Sequence, residues 1–287
     1  MCRTKSWHQS IDDGTLARAL SPEPCVLDFD PTPCFLGPST TLSSATSSAA
    51  SQASVVASGQ CAFLNPRKNE GDTVRAPGDA FERLRRNSAA ATISAAQATK
   101  QPYAWPDKST SPPALELEIQ IGTQKFKVYR PGPNDAKGKN LPTDQQLATA
   151  LRAIPEVQRA CTKTITLSPK PSPEAVSGQY TIAGDGGWGT IDLYPVHSQQ
   201  TQEDFDNRVM HECGHNYAEK VFGGGPEGVQ AWKAAFEADT QPPSWYARSP
   251  GEDFPEFLIL YNTAKGTPCE ETAKQIYPNR WKKMESY

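Results

Sequence analysis

The sequence has no run of about 18 or more apolar residues, so no segment could span a bilayer as a helix. It also lacks an excess of charge of either sign, since 29 Lys and Arg stand against 32 Asp and Glu, which gives a net charge of -3. Proteins that bind nucleic acid or anionic membranes through electrostatics usually carry a basic patch. The composition therefore excludes a membrane-spanning protein and argues against nucleic acid as a partner.

The sequence also lacks the cysteine pattern of a disulfide-rich or zinc-finger protein. Its seven cysteines are an odd number, are widely spaced and include no C-x-x-C pair. We therefore predict free thiols in a reducing compartment. The N-terminus has no apolar segment after its first basic residues, so export through a general secretory signal peptide is not expected.

The first third of the chain lacks the hydrophobic periodicity of helices and strands. Hydrophobic residues make up 37% of the whole sequence, which is low for a chain that is folded throughout. The first 110 residues show no sustained periodicity, and the stretch 39–58 is a low-complexity run of Ser, Ala and Thr. We predict a disordered leader over 1–110 and a folded domain over 111–287.

The second part of the chain mixes strand and helix patterns. Apolar residues alternate over 115–128 around a Gly-Thr turn, which predicts a hairpin. Further patterns predict a helix over 143–154, a strand over 164–167, a second hairpin that joins 180–182 to 190–194 through a glycine-rich turn, and helices over 201–222, over 226–239 and from 249 onward. The expected fold class is α+β, with a small mixed sheet and a C-terminal helical part.

One motif in this region has a specific chemistry. The run His211-Glu212-Cys213-Gly214-His215 contains H-E-x-x-H, and two histidines four apart on a helix can reach one metal ion. This spacing fits zinc, with Glu212 beside the ligands as general base for a water molecule. Gly214 costs about 1 kcal/mol relative to Ala inside a helix, and the close approach of another backbone would explain it. Because His8 and His197 are the only other histidines, a carboxylate is the best third ligand.

These residues resemble the gluzincin metallopeptidases, in particular the anthrax-lethal-factor-like and Pro-Pro-endopeptidase-like toxins. In that family a Tyr-Ala element and then a Glu-x-Phe-Ala-Glu helix follow the H-E-x-x-H helix. The counterparts here are Tyr246-Ala247 and Glu252-Asp253-Phe254-Pro255-Glu256, with proline in place of alanine and Tyr246 one residue closer to Glu252 than expected. The resemblance implies a zincin-like fold, a zinc cofactor, peptide hydrolysis, and Tyr246 as a donor to the developing oxyanion.

The third ligand must be chosen among three neighbouring carboxylates. Glu252 and Glu256 share one face of a helix, so one can bind the metal while the other accepts a hydrogen bond from a ligating histidine. Asp253 lies about 100° away around the helix and has a shorter side chain. With Ser249 as the expected N-cap, Glu252 falls in the first turn. We predict Glu252 as the ligand and Glu256 as its second-sphere partner, with Asp253 and Glu256 as alternative ligands.

The strand before the metal helix is a candidate for substrate binding. In zinc proteases with this order of elements, the edge strand of the sheet holds the substrate backbone, and pairing with a peptide gives an exposed edge a use. The predicted substrate-binding residues are Gly189, Thr190, Ile191, Asp192 and Leu193. The alternative is that this strand lies inside the sheet.

Together these features predict a monomeric zinc endopeptidase that hydrolyses a protein substrate. The Ser-rich leader resembles, in composition, those of bacterial effectors injected by type III secretion. We therefore expect an effector or toxin that acts on host proteins, or else a cytoplasmic protein. The alternative function is a non-catalytic binding or scaffold protein with a structural or degenerate metal site.

Overall fold

A mixed sheet with helices packed against it organises the described part of the chain. This computed structural model describes residues 59–136, 140–173, 184–196, 198–223 and 226–287. The strands are β1 (Ala91–Ile93), β2 (Gln97–Ala98), β3 (Ala114–Ile121), β4 (Gln124–Pro131), β5 (Thr164–Leu167), β6 (Gly184–Gly187) and β7 (Thr190–Leu193). The helices are α1 (Gly78–Arg86), α2 (Pro133–Ala136), α3 (Asp144–Arg152), α4 (Glu156–Arg159), α5 (Gln202–Phe222), α6 (Pro226–Ala238), α7 (Pro250–Ala264), α8 (Glu270–Ile276) and α9 (Pro278–Met284), and Ala62–Leu64 form a 3-10 turn.

The sheet runs in the order β1-β3-β4-β5-β7-β6, with β2 also paired to β3. Strands β3 and β4 are antiparallel, as are β6 and β7, whereas β5 is parallel to both of its neighbours. The expected α+β class with a mixed sheet is therefore confirmed. The first predicted hairpin is also confirmed as β3 and β4, in which Leu117 lies opposite Val128 and both side chains are buried.

Helix α5 is the central helix of the fold and contacts α3, α6, α7 and β6. It begins with the predicted capping box, in which Thr201 N donates to Asp204 Oδ2 at 2.9 Å and Asp204 N donates to Thr201 Oγ1 at 3.2 Å. It ends at Gly223, whose φ of +74° a residue with a side chain rarely adopts. None of the described helices is both long enough and apolar enough to cross a membrane.

Gly214 allows α5 and α7 to pack closely. A Cβ at this position would lie 2.8 Å from Pro255 Cα and 2.7 Å from Pro255 Cβ, so a larger side chain would push α7 away. The predicted approach of another backbone to Gly214 is confirmed. This contact fixes the distance between the histidines of α5 and the carboxylates of α7.

The predicted boundary of the leader at residue 110 is wrong, because residues 59–110 contribute to the core. Their buried side chains are Cys61, Leu64, Val74, Ala76, Phe81 and Trp105. These apolar residues lie mostly in irregular chain, which has no periodicity for a sequence pattern to detect. Residues 1–58, with the Ser-rich stretch on which the export prediction rests, lie outside the described residues.

The prediction of free thiols is wrong for two of the cysteines. Cys61 and Cys269 form a disulfide that joins positions 208 residues apart, whereas Cys161 and Cys213 are free thiols. The spacing gave no sign of this pair, because its partners belong to segments at opposite ends of the described chain. Disulfides of this kind persist in oxidising environments.

We expect reduction of this disulfide to lower the free energy of unfolding by about 2 to 5 kcal/mol, since the cross-link restricts a long loop of the unfolded chain. The measurement is urea denaturation with and without dithiothreitol, together with a Cys61→Ser, Cys269→Ser double variant. Cys161→Ser is the control and should respond to reduction as the wild type does. An unchanged midpoint after reduction of the wild type would contradict the prediction.

The second hairpin is present, but its first strand is the glycine-rich segment itself. β6 covers Gly184–Gly187, and residues 180–182, predicted as the strand, lie outside the described residues. β7 pairs with β5 on one side and with β6 on the other. The prediction that Gly189, Thr190, Ile191, Asp192 and Leu193 form a substrate-binding edge is therefore wrong, because the backbone of this strand is already paired. Among the described strands, β6 lies at this edge of the sheet.

Candidate metal centre

Two helices bring three potential metal ligands together. His211 and His215 come from α5, and Glu252 comes from the first turn of α7, where Ser249 Oγ caps the helix by accepting from Glu252 N. Glu252 Oε2 lies 3.2 Å from His211 Nε2 and 3.5 Å from His215 Nε2. The three ligand atoms all lie within 4.8 Å of one another, so one cation could contact all three.

Glu256 holds the ring of His211 in place from the opposite side. Its Oε1 lies 2.9 Å from His211 Nδ1, and its Oε2 accepts from Val74 N at 2.5 Å and from Ser244 Oγ at 2.6 Å. Because the carboxylate acts as an acceptor throughout, Nδ1 of His211 carries the proton and Nε2 is left to bind a metal. Glu256 thus makes the contact with a histidine that the sequence analysis predicts for it, and the metal-binding role of that histidine stays a prediction.

Asp253, the other alternative ligand, is used elsewhere. Its Oδ1 accepts from Trp232 Nε1 at 2.7 Å and from Arg280 Nε at 2.8 Å, and its Oδ2 accepts from Arg280 Nη2 at 2.8 Å. The buried ion pair with Arg280 joins α7 to α9, and the hydrogen bond from Trp232 joins α7 to α6. Of the three neighbouring carboxylates, only Glu252 belongs to the group of potential ligands.

The Glu212 side chain lies against the glycine-rich strand β6. Its residue is 7% exposed, and a Cβ placed on Gly184 would lie 2.4 Å from Glu212 Oε1. A Cβ on Gly186 would lie 2.2 Å from the backbone oxygen of Glu212. At position 186 only glycine lets β6 lie against the backbone of α5, whereas a side chain at position 184 would displace the Glu212 carboxylate. The sequence analysis assigns these glycines to a turn. Glycines at alternate positions of a strand can instead indicate that another element approaches its backbone closely.

Tyr246 lies at the side of the histidine pair. Its ring centroid is 5.7 Å from that of His211, and 37% of its surface is exposed. Its backbone N–H donates to Asp72 O at 3.0 Å, which fixes the loop that carries it. Tyr246 thus lies close to His211, and its role as an oxyanion donor stays a prediction.

An irregular segment, which the sequence analysis did not predict, packs beside the site and hydrogen-bonds to the elements that carry its residues. We call residues 67–78 the site strap. Along its length it hydrogen-bonds to the Tyr246 loop, to α7 and to α5. The bonds are Arg67 N to Pro243 O, Tyr246 N to Asp72 O, Val74 N to Glu256 Oε2, Ala76 N to Asn207 Oδ1 and Gly78 N to Glu203 Oε2, at 2.5 to 3.1 Å. The strap therefore ties together all three elements that carry site residues.

The charges of the three potential ligands depend on one another. Burial lowers the pKa of His211, but hydrogen bonds with Glu252 and Glu256 outweigh it and raise the pKa well above 6.5. Burial likewise opposes charge on His215, and the charge of Glu252 outweighs it, so this pKa is also raised. The two histidines hold the pKa of Glu252 far below its ordinary value despite burial. The site thus favours positive charge beside Glu252, supplied by protons or by a metal cation.

We expect metal affinity to fall as the pH falls, because a metal must displace the protons of His211 and His215. Without metal, the raised pKa values of the histidines stabilise the fold fully below about pH 6.5, and this contribution is lost as the pH rises through the folded-state values. The lowered pKa of Glu252 has the opposite effect: it stabilises the fold above about pH 4.5, and this contribution is lost as the pH falls. The rise in Tm on addition of zinc should therefore be larger at pH 8 than at pH 6. An equal rise at both values would contradict the prediction.

Comparison with known proteins gives no match to a family model, to a characterised protein or to a solved structure. The resemblance to gluzincins thus rests on the motifs alone. His8 and His197 lie outside the described residues. Among the described residues, His211, His215 and Glu252 form the group of potential metal ligands.

Proposed function

We propose that the protein is a zinc-dependent endopeptidase that hydrolyses peptide bonds of a protein substrate. The observation that carries the proposal is the convergence of His211 Nε2, His215 Nε2 and Glu252 Oε2, with Glu212 next to His211 in the same helix. Two imidazoles and one carboxylate are a common ligand set of catalytic zinc sites. When bound there, zinc activates a water molecule and polarises the scissile carbonyl.

The chain's own residues account for the proton transfers. Glu212 is next to a ligand in sequence and is not part of the ligand group, and we assign to its carboxylate the role of taking a proton from the attacking water. It then passes that proton to the leaving amine. Tyr246, beside the His211 ring, donates a hydrogen bond to the oxygen on which negative charge develops.

Strand β6 supplies a place for the peptide backbone. It pairs with β7 on one side, and within the described residues no strand pairs with its other side. Gly184 of this strand lies against the Glu212 side chain, which supports a peptide path close to the assigned general base. An extended peptide that pairs with β6 would therefore pass its backbone across the site.

A structural metal site in a non-catalytic scaffold is the competing function. Structural zinc sites almost always have four protein ligands, whereas the group found among the described residues has three. Three ligands leave a coordination position for water or substrate. The ligand count thus favours catalysis.

Glu252→Ala should lower zinc affinity by more than about 100-fold, because it removes a ligand, while Glu256→Gln should cost about 10- to 100-fold through the lost support of His211. Isothermal titration calorimetry gives both affinities, and hydrolysis of a fluorogenic peptide library gives activity. The control is Glu237→Gln, an exposed carboxylate of α6 that pairs with Lys233. If Glu252→Ala binds zinc as tightly as the wild type, the assigned site is wrong.

A further inference from the structure

Trp188 is the most exposed large hydrophobic residue of the described chain, with 73% of its surface accessible. By contrast, Trp105, Trp232 and Trp281 are 1% to 2% exposed. A single exposed apolar residue is common on protein surfaces and needs no explanation in itself. What sets Trp188 apart is its backbone.

Trp188 and Gly189 are the central residues of the turn between β6 and β7, with φ of +54° and +77°. The flanking residues Gly187 and Thr190 pair across the two strands. Two-residue turns with positive φ at both positions favour Asn-Gly, because a bulky side chain is disfavoured in the left-handed region. Tryptophan at position 188 therefore costs stability that asparagine would not. Residues held in such conformations at a cost cluster at functional sites.

The turn is fixed to the helix that carries the metal ligands. Trp188 N donates to Glu219 Oε2 at 2.5 Å, Gly189 N donates to Asn216 Oδ1 at 2.7 Å, and Asn216 Nδ2 donates to Thr190 O at 2.8 Å. Asn216 follows His215 directly in α5. Position 188 therefore has a set place relative to the metal centre.

Strand β6 leads from the reacting groups to this turn. Gly184 lies against Glu212, and Trp188 follows four residues later, at a distance of about 13 Å along an extended chain. Three of the four residues of β6 are glycine, so the edge offers mainly backbone groups. In strand addition the backbone supplies affinity, and subsites for side chains supply specificity. Trp188 is the first large side chain that a peptide would meet beyond β6.

We propose that Trp188 forms a subsite for a large apolar side chain of the substrate, about four residues from the bond that is cleaved. This inference rests on the proposed function and deepens it by naming a class of substrate. The occupant is an extended peptide, since no described strand pairs with the outer side of β6, and β6 leads directly to Trp188.

Three variants of the full chain test the subsite in a random peptide library. We expect the wild type to prefer an apolar residue three to five positions from the cleaved bond by about 10-fold or more in kcat/KM. Trp188→Asn should abolish this preference, so that the ratio of kcat/KM values falls to about 1. The Tm of this variant should equal or exceed that of the wild type, because asparagine is favoured in this turn. Trp188→Phe should keep most of the preference. Val157→Asn, at an exposed position on α4, is the matched control and should behave as the wild type does.

An unchanged preference in Trp188→Asn overturns the subsite and leaves the proposed peptidase function in place. A clear fall in the Tm of this variant also overturns it, because the tryptophan would then be structural. If the wild type cleaves no peptide, binding of the library to zinc-loaded Glu212→Gln protein decides the question. If peptides bind and their binding requires Trp188, the subsite is supported even though the proposed peptidase function is wrong. No such binding, or Trp188-dependent binding to phosphatidylcholine vesicles alone, overturns the subsite.

Discussion

Glu212→Gln is expected to lower turnover by about 100- to 10,000-fold while zinc stays bound and the fold stays intact. The variant removes the proton acceptor, but the amide has nearly the same shape and fits the narrow space beside Gly184, where a Cβ would already meet the carboxylate. Glu212 is not among the three potential ligands, so metal affinity should change little.

The measurements are kcat on a fluorogenic peptide, bound zinc by atomic absorption, and Tm. Glu237→Gln is again the matched control, since it makes the same chemical change at an exposed position of α6 and should leave all three values unchanged. If Glu212→Gln retains more than about a tenth of the wild-type turnover, the assignment of Glu212 as general base is wrong.

A chain that begins at residue 79 is expected to lose both stability and metal binding. It lacks the buried side chains of Leu64 and Val74, each of which contributes about 1.5 to 3 kcal/mol. It also lacks the disulfide of Cys61 with Cys269, which contributes about 2 to 5 kcal/mol. This loss is comparable with the whole stability of an ordinary domain, about 5 to 15 kcal/mol. Val74 no longer donates to Glu256, so the support of His211 is weakened as well.

The matched control begins at residue 59 and keeps the whole site strap. Circular dichroism and zinc titration should show a folded, metal-binding protein for the control and a largely unfolded one for the shorter chain. The Cys61→Ser, Cys269→Ser variant separates the contribution of the disulfide from that of the strap. If the chain that begins at residue 79 binds zinc as the control does, the strap has no part in the site.

The parts of the site that the sequence predicts are those encoded by local spacing. The helical positions of His211, Glu212 and His215 follow from four residues of separation, and the capping residues of α5 and α7 lie within three residues of their partners. Glu252 belongs to this class as well, because its cap at Ser249 fixes its place in the first turn of α7. Such short-range rules do not depend on how distant segments meet.

The parts that the sequence does not predict depend on long-range pairing. Whether β7 is an edge or an interior strand depends on which strand lies outside it, and that strand is a glycine-rich segment with low strand propensity. The disulfide and the site strap join segments that are far apart in sequence, and the strap is irregular chain without a hydrophobic period. A glycine-rich segment can be a strand that packs closely against a helix rather than a turn. Gly184 and Gly186 are an example, because a Cβ at either position would clash with Glu212.

The bond between Val74 and Glu256 has a consequence for how the protein matures. These residues are 182 positions apart, and the bond helps hold the His211 ring in place. During synthesis the H-E-x-x-H helix emerges from the ribosome before the segment that supplies Glu252 and Glu256, because it comes earlier in the sequence. Contacts of such long range form late in folding, because the loop between them must close first. Metal binding is thus expected to arise only after α7 has joined the fold, because Glu252 and the support of His211 by Glu256 are missing until then.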